Sequence, residues 1–209
     1  CGPFALLFLG RVFFGFALRR DFTINALSVA RDGRVYDYTG GLADLDARRV
    51  RFIGEAKARI EEDYLRILRF FRFHAAYGAG EPDAAGVAAC IAARAGLAQL
   101  SRERVRMELM KLLVARRAVP VLQVMAEIGL LLDVLGGVPN VVHAARMAEI
   151  EQALGLAADP VRRLGGLAVV VAEDAERLWR RLRLTNREYE RLAAMAEGWR
   201  RIAPRLSEQ

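Results

Sequence analysis

The hydrophobic pattern changes character once along this chain, near residues 54–60, and that change limits the fold more than any other feature. From Arg19 to Ile53 the apolar stretches are short and broken by turn residues, whereas from Ile60 onward apolar residues recur at three- and four-residue spacing. In the first part, Asp21 is placed to cap a helix over residues 22–27, and residues 28–30 and 35–37 form two strands around the Asp32-Gly33 turn. Gly40-Gly41 breaks the chain before a short helix over residues 42–47 and a strand over residues 49–53. The second part predicts helices over residues 60–77, 82–95, 101–116, 120–129, 142–154, 160–172 and 185–199, with a stop near Gly136-Gly137 and a capping box formed by Thr185 and Glu188. A small sheet first and helices after it is an α+β arrangement, and so small a sheet needs further strands to be stable.

Composition narrows the partners. The net charge is +7 and the isoelectric point about 10.1, which suits a polyanion, and the cationic side chains are almost all arginine, Lys57 and Lys111 being the lysines. A GC-rich genome enriches arginine as well, so charge alone identifies nothing. Cys1 and Cys90 make no disulfide framework, and His74 and His143 stand apart from any partner at metal spacing, which argues against a zinc site and fits a reducing cytoplasm. Residues 1–18 are rich in phenylalanine, but Arg11 interrupts them and each apolar piece is too short to span a bilayer. They read as a cut or aberrant end of a longer protein, and no membrane partner is expected.

Residues 59–73 hold most of the functional information. On a continuous helix, Ile60, Tyr64, Ile67, Leu68 and Phe71 form an apolar stripe, while Asp63 and Arg66 are neighbours on another face. Phe70 and Phe73 fall among the charges, so the helix is expected to be packed on more than one side, with its charges lining a cleft. An ionised aspartate only accepts hydrogen bonds and an arginine only donates them. Side by side they complement a base edge that carries an amino group next to ring or carbonyl acceptors, as cytosine and adenine do and uracil and guanine do not. A carboxylate facing a carbonyl would cost roughly 1–3 kcal/mol, enough to select a nucleotide without a template. Arg69 and Arg72 continue the spacing and suit sugar or phosphate. An exposed salt bridge would have the same spacing, so this stretch is ambiguous by itself.

Its neighbours remove the ambiguity. Arg19-Arg20-Asp21 with the following Phe22-Thr23-Ile24-Asn25-Ala26-Leu27 resembles the arginine-arginine-aspartate motif of class II CCA-adding tRNA nucleotidyltransferases and bacterial poly(A) polymerases. The segment from Asp37 through Gly40, Gly41 and Asp44 to Leu45 is similar to their hinge, Glu62-Asp63-Tyr64-Leu65-Arg66 to their base-selecting motif, and residues 101–109 to their neck helix. The resemblance implies a nucleotidyltransferase head remnant over residues 1–55, a helical neck over 56–118 and a helical body over 119–209. It implies that Arg20 holds a triphosphate, that Asp21 accepts from a ribose 2′-hydroxyl, that Asp63, Arg66, Arg69 and Arg72 bind the nucleotide, and that Glu103, Arg104 and Glu108 brace the neck. Its partners would be tRNA, CTP and ATP.

The resemblance also implies Mg²⁺ held by two carboxylates that precede the arginine-arginine-aspartate motif. Residues 1–18 contain no acidic residue. Asp44 and Asp46 come after that motif and read as hinge or helix surface, so the chain is expected to offer no metal ligands or catalytic carboxylates and to be inactive alone. Tyr64-Leu65 is more similar to the CCA-adding version than to the polymerase version, which often has Pro-Val. A poly(A) polymerase, separate C- and A-adding enzymes, or a non-catalytic RNA-binding helical module are the alternatives. The pairs Arg162-Arg163, Arg180-Arg181 and Arg200-Arg201 read as solvated surface rather than tRNA contacts, and Trp179 and Trp199 as core.

Overall fold

The computed structural model describes residues 15, 17 and 19–206, the backbone alone over 202–206. The reading of residues 1–18 as a cut or aberrant end therefore falls, apart from Gly15 and Ala17, outside the described residues. Two compact units follow one another, residues 1–93 and residues 94–209.

In the first unit the expected helix over residues 22–27 is a single 3-10 turn, Thr23–Asn25. Asn25 Oδ1 accepts from the Phe22 N–H at 3.1 Å and closes the turn locally, so Asp21 is not a helix cap. Strands β1 (Ser28–Val29) and β2 (Val35–Tyr36) pair antiparallel with Ser28 opposite Tyr36 and Val29 opposite Val35. Gly33, at φ +83°, makes the turn between them. Helix α1 (Gly41–Asp46) follows, but the expected strand over 49–53 reduces to one bridge, Phe52 to Phe22.

The expected helix over residues 60–77 is two helices, α2 (Ala56–Glu62) and α3 (Leu65–Tyr77). Asp63 breaks them with an extended backbone, φ −157° and ψ 105°. Its Oδ1 accepts from the Leu65 N–H at 3.1 Å, an aspartate competing for backbone donors as N-cap residues do. The apolar stripe survives the break, for Ile60, Ile67, Leu68 and Phe71 are buried. Phe70 is fully buried as well, its ring 5.3 Å from Phe52 and 6.2 Å from Phe22, and Phe73 lies 5.0 Å from Phe22. Helix α3 is thus packed on two sides, as its aromatic residues suggested. Helix α4 (Ala84–Ala93) packs on α2 and buries Cys90, whose thiol is pushed up to about 12 by loss of solvation.

The second unit is helical: a 3-10 segment (Arg94–Gln99), α5 (Arg102–Leu113), α6 (Ala118–Glu127), α7 (Leu130–Leu135), α8 (Val141–Ala153), α9 (Pro160–Ala168), α10 (Ala172–Leu182) and α11 (Asn186–Leu206). Sequence reading missed α7, set off by Gly129 and Gly136 in positive φ, and α10. It extended α9 to residue 172, where the helix ends at Ala168. Ser101 caps α5 as expected, and Thr185 with Glu188 forms the expected box at α11: the Thr185 N–H donates to Glu188 Oε2 at 2.7 Å and the Glu188 N–H donates to Thr185 Oγ1 at 3.3 Å. The core is leucine-rich, with Leu109, Leu113, Leu130, Leu164 and Leu178 all buried. Among the described residues no helix is long and apolar enough to cross a membrane.

Candidate nucleotide-binding site

Asp21 and the helix α3 arginines, 45 and 48 residues apart in sequence, meet in the first unit. Arg66 Nε donates to Asp21 Oδ1 at 2.7 Å and Arg69 Nε donates to Asp21 Oδ2 at 2.6 Å. Arg66 Nη1 also donates to Glu62 and to the Arg59 carbonyl. Burial works against the Arg66 charge, but the bonds to Glu62 and Asp21 outweigh it and raise its pKa further. Arg66 is therefore a fixed cation whose remaining nitrogen, Nη2, has no partner among the described residues. Side-chain exposures of 12% for both Arg66 and Asp21 show that the pair is largely buried rather than on a freely solvated face.

The break at Asp63 changes the geometry assumed from a continuous helix. Asp63 and Arg66 are not neighbours on a helical face: Asp63 precedes the first turn of α3, and the Arg66 N–H donates to its carbonyl at 3.0 Å. The chain still brings them to one end of α3, with Asp63 half-buried there. Arg20 is exposed, and its side chain has no partner among the described residues. Arg72 stacks over the Phe73 ring at 4.3 Å and Arg69 lies at 5.7 Å from the same ring, which holds both heads at one aromatic face.

One participant escaped sequence reading. Arg59 Nη1 donates to Glu62 at 2.6 Å, its Nη2 donates to the Arg20 carbonyl at 2.7 Å, and its own carbonyl accepts from Arg66. It thereby joins the arginine-arginine-aspartate segment to α2. Its position three before Glu62 and seven before Arg66 was the available signal.

The hinge residues converge on one corner. Asp37 Oδ1 accepts from the Thr39 N–H at 3.0 Å and the Gly41 N–H at 2.9 Å, and its Oδ2 accepts from the Leu42 N–H at 2.9 Å. Burial raises its pKa, but these backbone bonds prevail and hold it below the usual carboxylate range. Gly40 takes φ +77°, and Gly41 is glycine for a different reason: a Cβ there would lie 2.3 Å from the Thr23 carbonyl oxygen. Asp44 is fully buried; it accepts from Thr23 Oγ1 at 2.6 Å, Arg49 Nε at 3.0 Å and Arg51 Nε at 2.9 Å. Desolvation opposes its charge, and the bonds from Arg51, Thr23 and Arg49 overcome it and depress its pKa. Asp46 is exposed.

In the second unit, Glu108 is buried with Lys111 at 4.0 Å, while Glu103 and Arg104 are exposed in the first turn of α5. Arg106 of the same helix reaches α11 and the segment before it, its Nη1 donating to Glu188 and to the Arg183 carbonyl, both at 3.0 Å. Arg162 and Arg163 are not solvated surface, for their Nε atoms donate to buried Glu151 at 2.8 and 2.7 Å. Arg200 and Arg201 are exposed and pair with Glu197. Trp199 stacks on His143 at 5.0 Å, whereas Trp179 is 37% exposed and is not core.

Asp21 and Asp44 are poorly suited to hold a divalent cation. Asp21 and Asp44 are each engaged by two arginines, and among the described residues no cluster of three or more His, Cys, Asp or Glu could hold a metal.

Residues 16–51 match the poly A polymerase head domain, and residues 83–141 match the family described as a probable RNA and SrmB-binding site of polymerase A. The chain is 46% identical over 116 residues to CCA tRNA nucleotidyltransferase 1, mitochondrial, of Danio rerio, covering 54% of this chain and 27% of that protein. With the Mus musculus protein of the same name identity is 35% over 178 residues, 82% of this chain and 40% of that one. The chain thus spans well under half the length of these relatives. The fold matches the Thermotoga maritima CCA-adding enzyme complexed with tRNA at a TM-score of 0.71 and 19% identity, over 94% of this chain and 51% of the other.

Proposed function

We infer, from this chain's membership of the family that unites CCA-adding tRNA nucleotidyltransferases with poly(A) polymerases, that it is the nucleotide-selecting and RNA-binding part of a CCA-adding enzyme. The whole protein would complete or repair the tRNA 3′ end from CTP and ATP, without a nucleic-acid template, in the cytoplasm. The observation that carries this reading is the bond of Asp21 to Arg66 and Arg69, which ties the arginine-arginine-aspartate motif to the base-selecting motif.

Each side chain then has a task. Asp63 accepts from the exocyclic amine of cytosine or adenine, and Arg66 donates through Nη2 to the adjoining ring acceptor, its orientation set by Asp21 and Glu62. Arg20 takes the triphosphate, Arg69 and Arg72 the sugar and phosphates, and Asp21 the ribose 2′-hydroxyl through lone pairs left beside its arginine bonds. A bound Mg²⁺ would supply activation of the RNA 3′-hydroxyl and stabilisation of leaving pyrophosphate. No carboxylate of this chain is assigned to it, so residues 1–209 alone bind nucleotide without joining it to RNA. Asp37, Gly40, Gly41 and Asp44 form the joint between head and neck, and Glu103, Arg104 and Glu108 brace the neck.

The test is template-free incorporation by the whole protein on tRNA lacking its terminal CCA. Two CMP additions followed by one AMP support the reading; AMP additions indifferent to CTP would make it a poly(A) polymerase. RNA binding without incorporation of either nucleotide would leave an RNA-binding module.

A further inference from the structure

Two clefts adjoin on α10, in the second unit. One, of about 530 Å³, is lined by Arg102, Glu173, Glu176, Arg177, Arg180 and Arg181; the other, of about 430 Å³, is lined by Trp179, Arg180, Arg183, Leu184 and Asn186. Arg180 borders both.

The charges in the first cleft are unequally matched. Arg177 pairs with Asp174 and Arg180 with Glu176. Arg181 bonds only to main-chain carbonyls, those of Val134 and Asp133, and Arg102 has neither a hydrogen bond nor an ion pair among the described residues. Burial lowers the Arg181 pKa and the like charge of Arg102 lowers it further, against a smaller opposing pull from Asp133. Two guanidiniums that line one cleft without a shared carboxylate make an anion site. The turn that ends α7 is shaped to admit them: a Cβ on Gly136 would lie 2.9 Å from Arg181 Cδ, and one on Gly137 would lie 2.6 Å from Arg177 Cζ.

The second cleft carries an exposed aromatic surface. Trp179 is 37% exposed and is steadied by Tyr189, with ring centroids 5.3 Å apart. Arg183 beside it caps α10 at φ +51°, a left-handed position that glycine would fill with less strain. An arginine is present there nonetheless, and its side chain has no partner among the described residues. Cationic groups next to an exposed tryptophan are what a nucleic-acid strand requires, phosphates to the one and a base face to the other.

We propose that α10 is an RNA-binding surface on which backbone phosphates occupy the Arg102–Arg181 cleft and an unpaired nucleotide stacks on Trp179. Arg102 lies in the segment matched to the RNA-binding family, whereas Trp179, Arg181 and Arg183 lie beyond it, so the surface extends past residue 141. The proposal rests on RNA being the partner, as inferred above.

The experiment uses the full chain and an RNA hairpin with a short single-stranded extension. Arg102→Ala removes no bond and should match the wild type by circular dichroism. It should weaken RNA binding and reduce the slope of log affinity against log salt by about 1. Trp199→Phe leaves Trp179 as the one tryptophan, and its fluorescence should be quenched by the extended hairpin more than by a blunt one. An unchanged salt slope in Arg102→Ala, or Trp179 emission indifferent to the extension, would overturn the proposal. So would a polyglutamate peptide that binds as tightly as RNA with the same dependence on Arg102. Absence of CMP addition by the whole protein would instead strike only the enzymatic reading.

Discussion

Replacing Asp21 with asparagine keeps its shape but removes the charge that Arg66 and Arg69 share. The carboxylate now accepts from both guanidiniums, at 2.7 and 2.6 Å. An amide offers one acceptor and turns an NH₂ donor toward the other arginine, so one bond is lost outright and the second is weakened. A hydrogen bond to a charged group contributes about 1.5–3 kcal/mol. Arg66 retains Glu62 and the Arg59 carbonyl, and Arg69 is 30% exposed, so solvent takes up part of the loss. The net destabilisation should be about 2 kcal/mol, or a fall in melting temperature of roughly 4–8 °C for a chain of this size. With Arg66 less firmly aimed, CTP affinity should fall about tenfold, equivalent to about 1.4 kcal/mol. Thermal unfolding followed by circular dichroism, with CTP titrated into both proteins, measures the two effects. The exposed Asp46→Asn serves as control. A melting temperature for Asp21→Asn within a degree of that control would refute the bridge as a contributor to the site.

The remaining predictions concern the supports of the site and the body. Gly41→Ala should destabilise by about 1–3 kcal/mol, because its Cβ meets a backbone carbonyl at 2.3 Å. Gly40→Ala meets no atom and should lose only about 1–2 kcal/mol to its positive φ; urea unfolding that ranks the two the other way would contradict the packing described. Glu151→Gln should lower stability at neutral pH by about 3 kcal/mol, since it leaves Arg162 and Arg163 facing an uncharged group. Burial opposes ionisation of Glu151, but Arg163, the Asp159 N–H and Arg162 depress its folded pKa below 4.5, so its stabilisation is present above that value and is lost as pH falls through the folded pKa. The wild type should therefore lose stability below about pH 4.5, and Glu151→Gln should show a shallower acid decline in the same titration.

The α+β division, the β1–β2 hairpin and the buried face of α3 could be read from the sequence because each follows from local periodicity and turn chemistry. Asp63 shows where local reading fails. The apolar stripe runs through it unbroken, and only the competition of its side chain for the Leu65 N–H interrupts the helix. Asp21 was recognisable as a site residue by motif but not by partner, since its arginines lie 45 and 48 residues away. Glu151 likewise shows no outward sign of its clamp on Arg162 and Arg163. Helix α10 is another matter: Ala175, Leu178 and Leu182 mark a buried face at helical spacing, and the arginines around them drew attention away from that period. Trp179 looked like core because tryptophan usually is, and its exposure depends on how α10 packs.

The central claim is that Asp63 and Arg66 choose the base. Asp63→Asn in the whole protein tests it most directly, because asparagine can still cap α3 through Oδ1 while it presents an amide donor where the carboxylate was. CTP and UTP compete for incorporation into tRNA lacking its CCA end, and the ratio of CMP to UMP added is measured beside the melting temperature. The account predicts a folded protein with a CMP to UMP ratio reduced at least tenfold, equivalent to about 1.4 kcal/mol of lost discrimination. An unaltered ratio in a folded Asp63→Asn protein would contradict it.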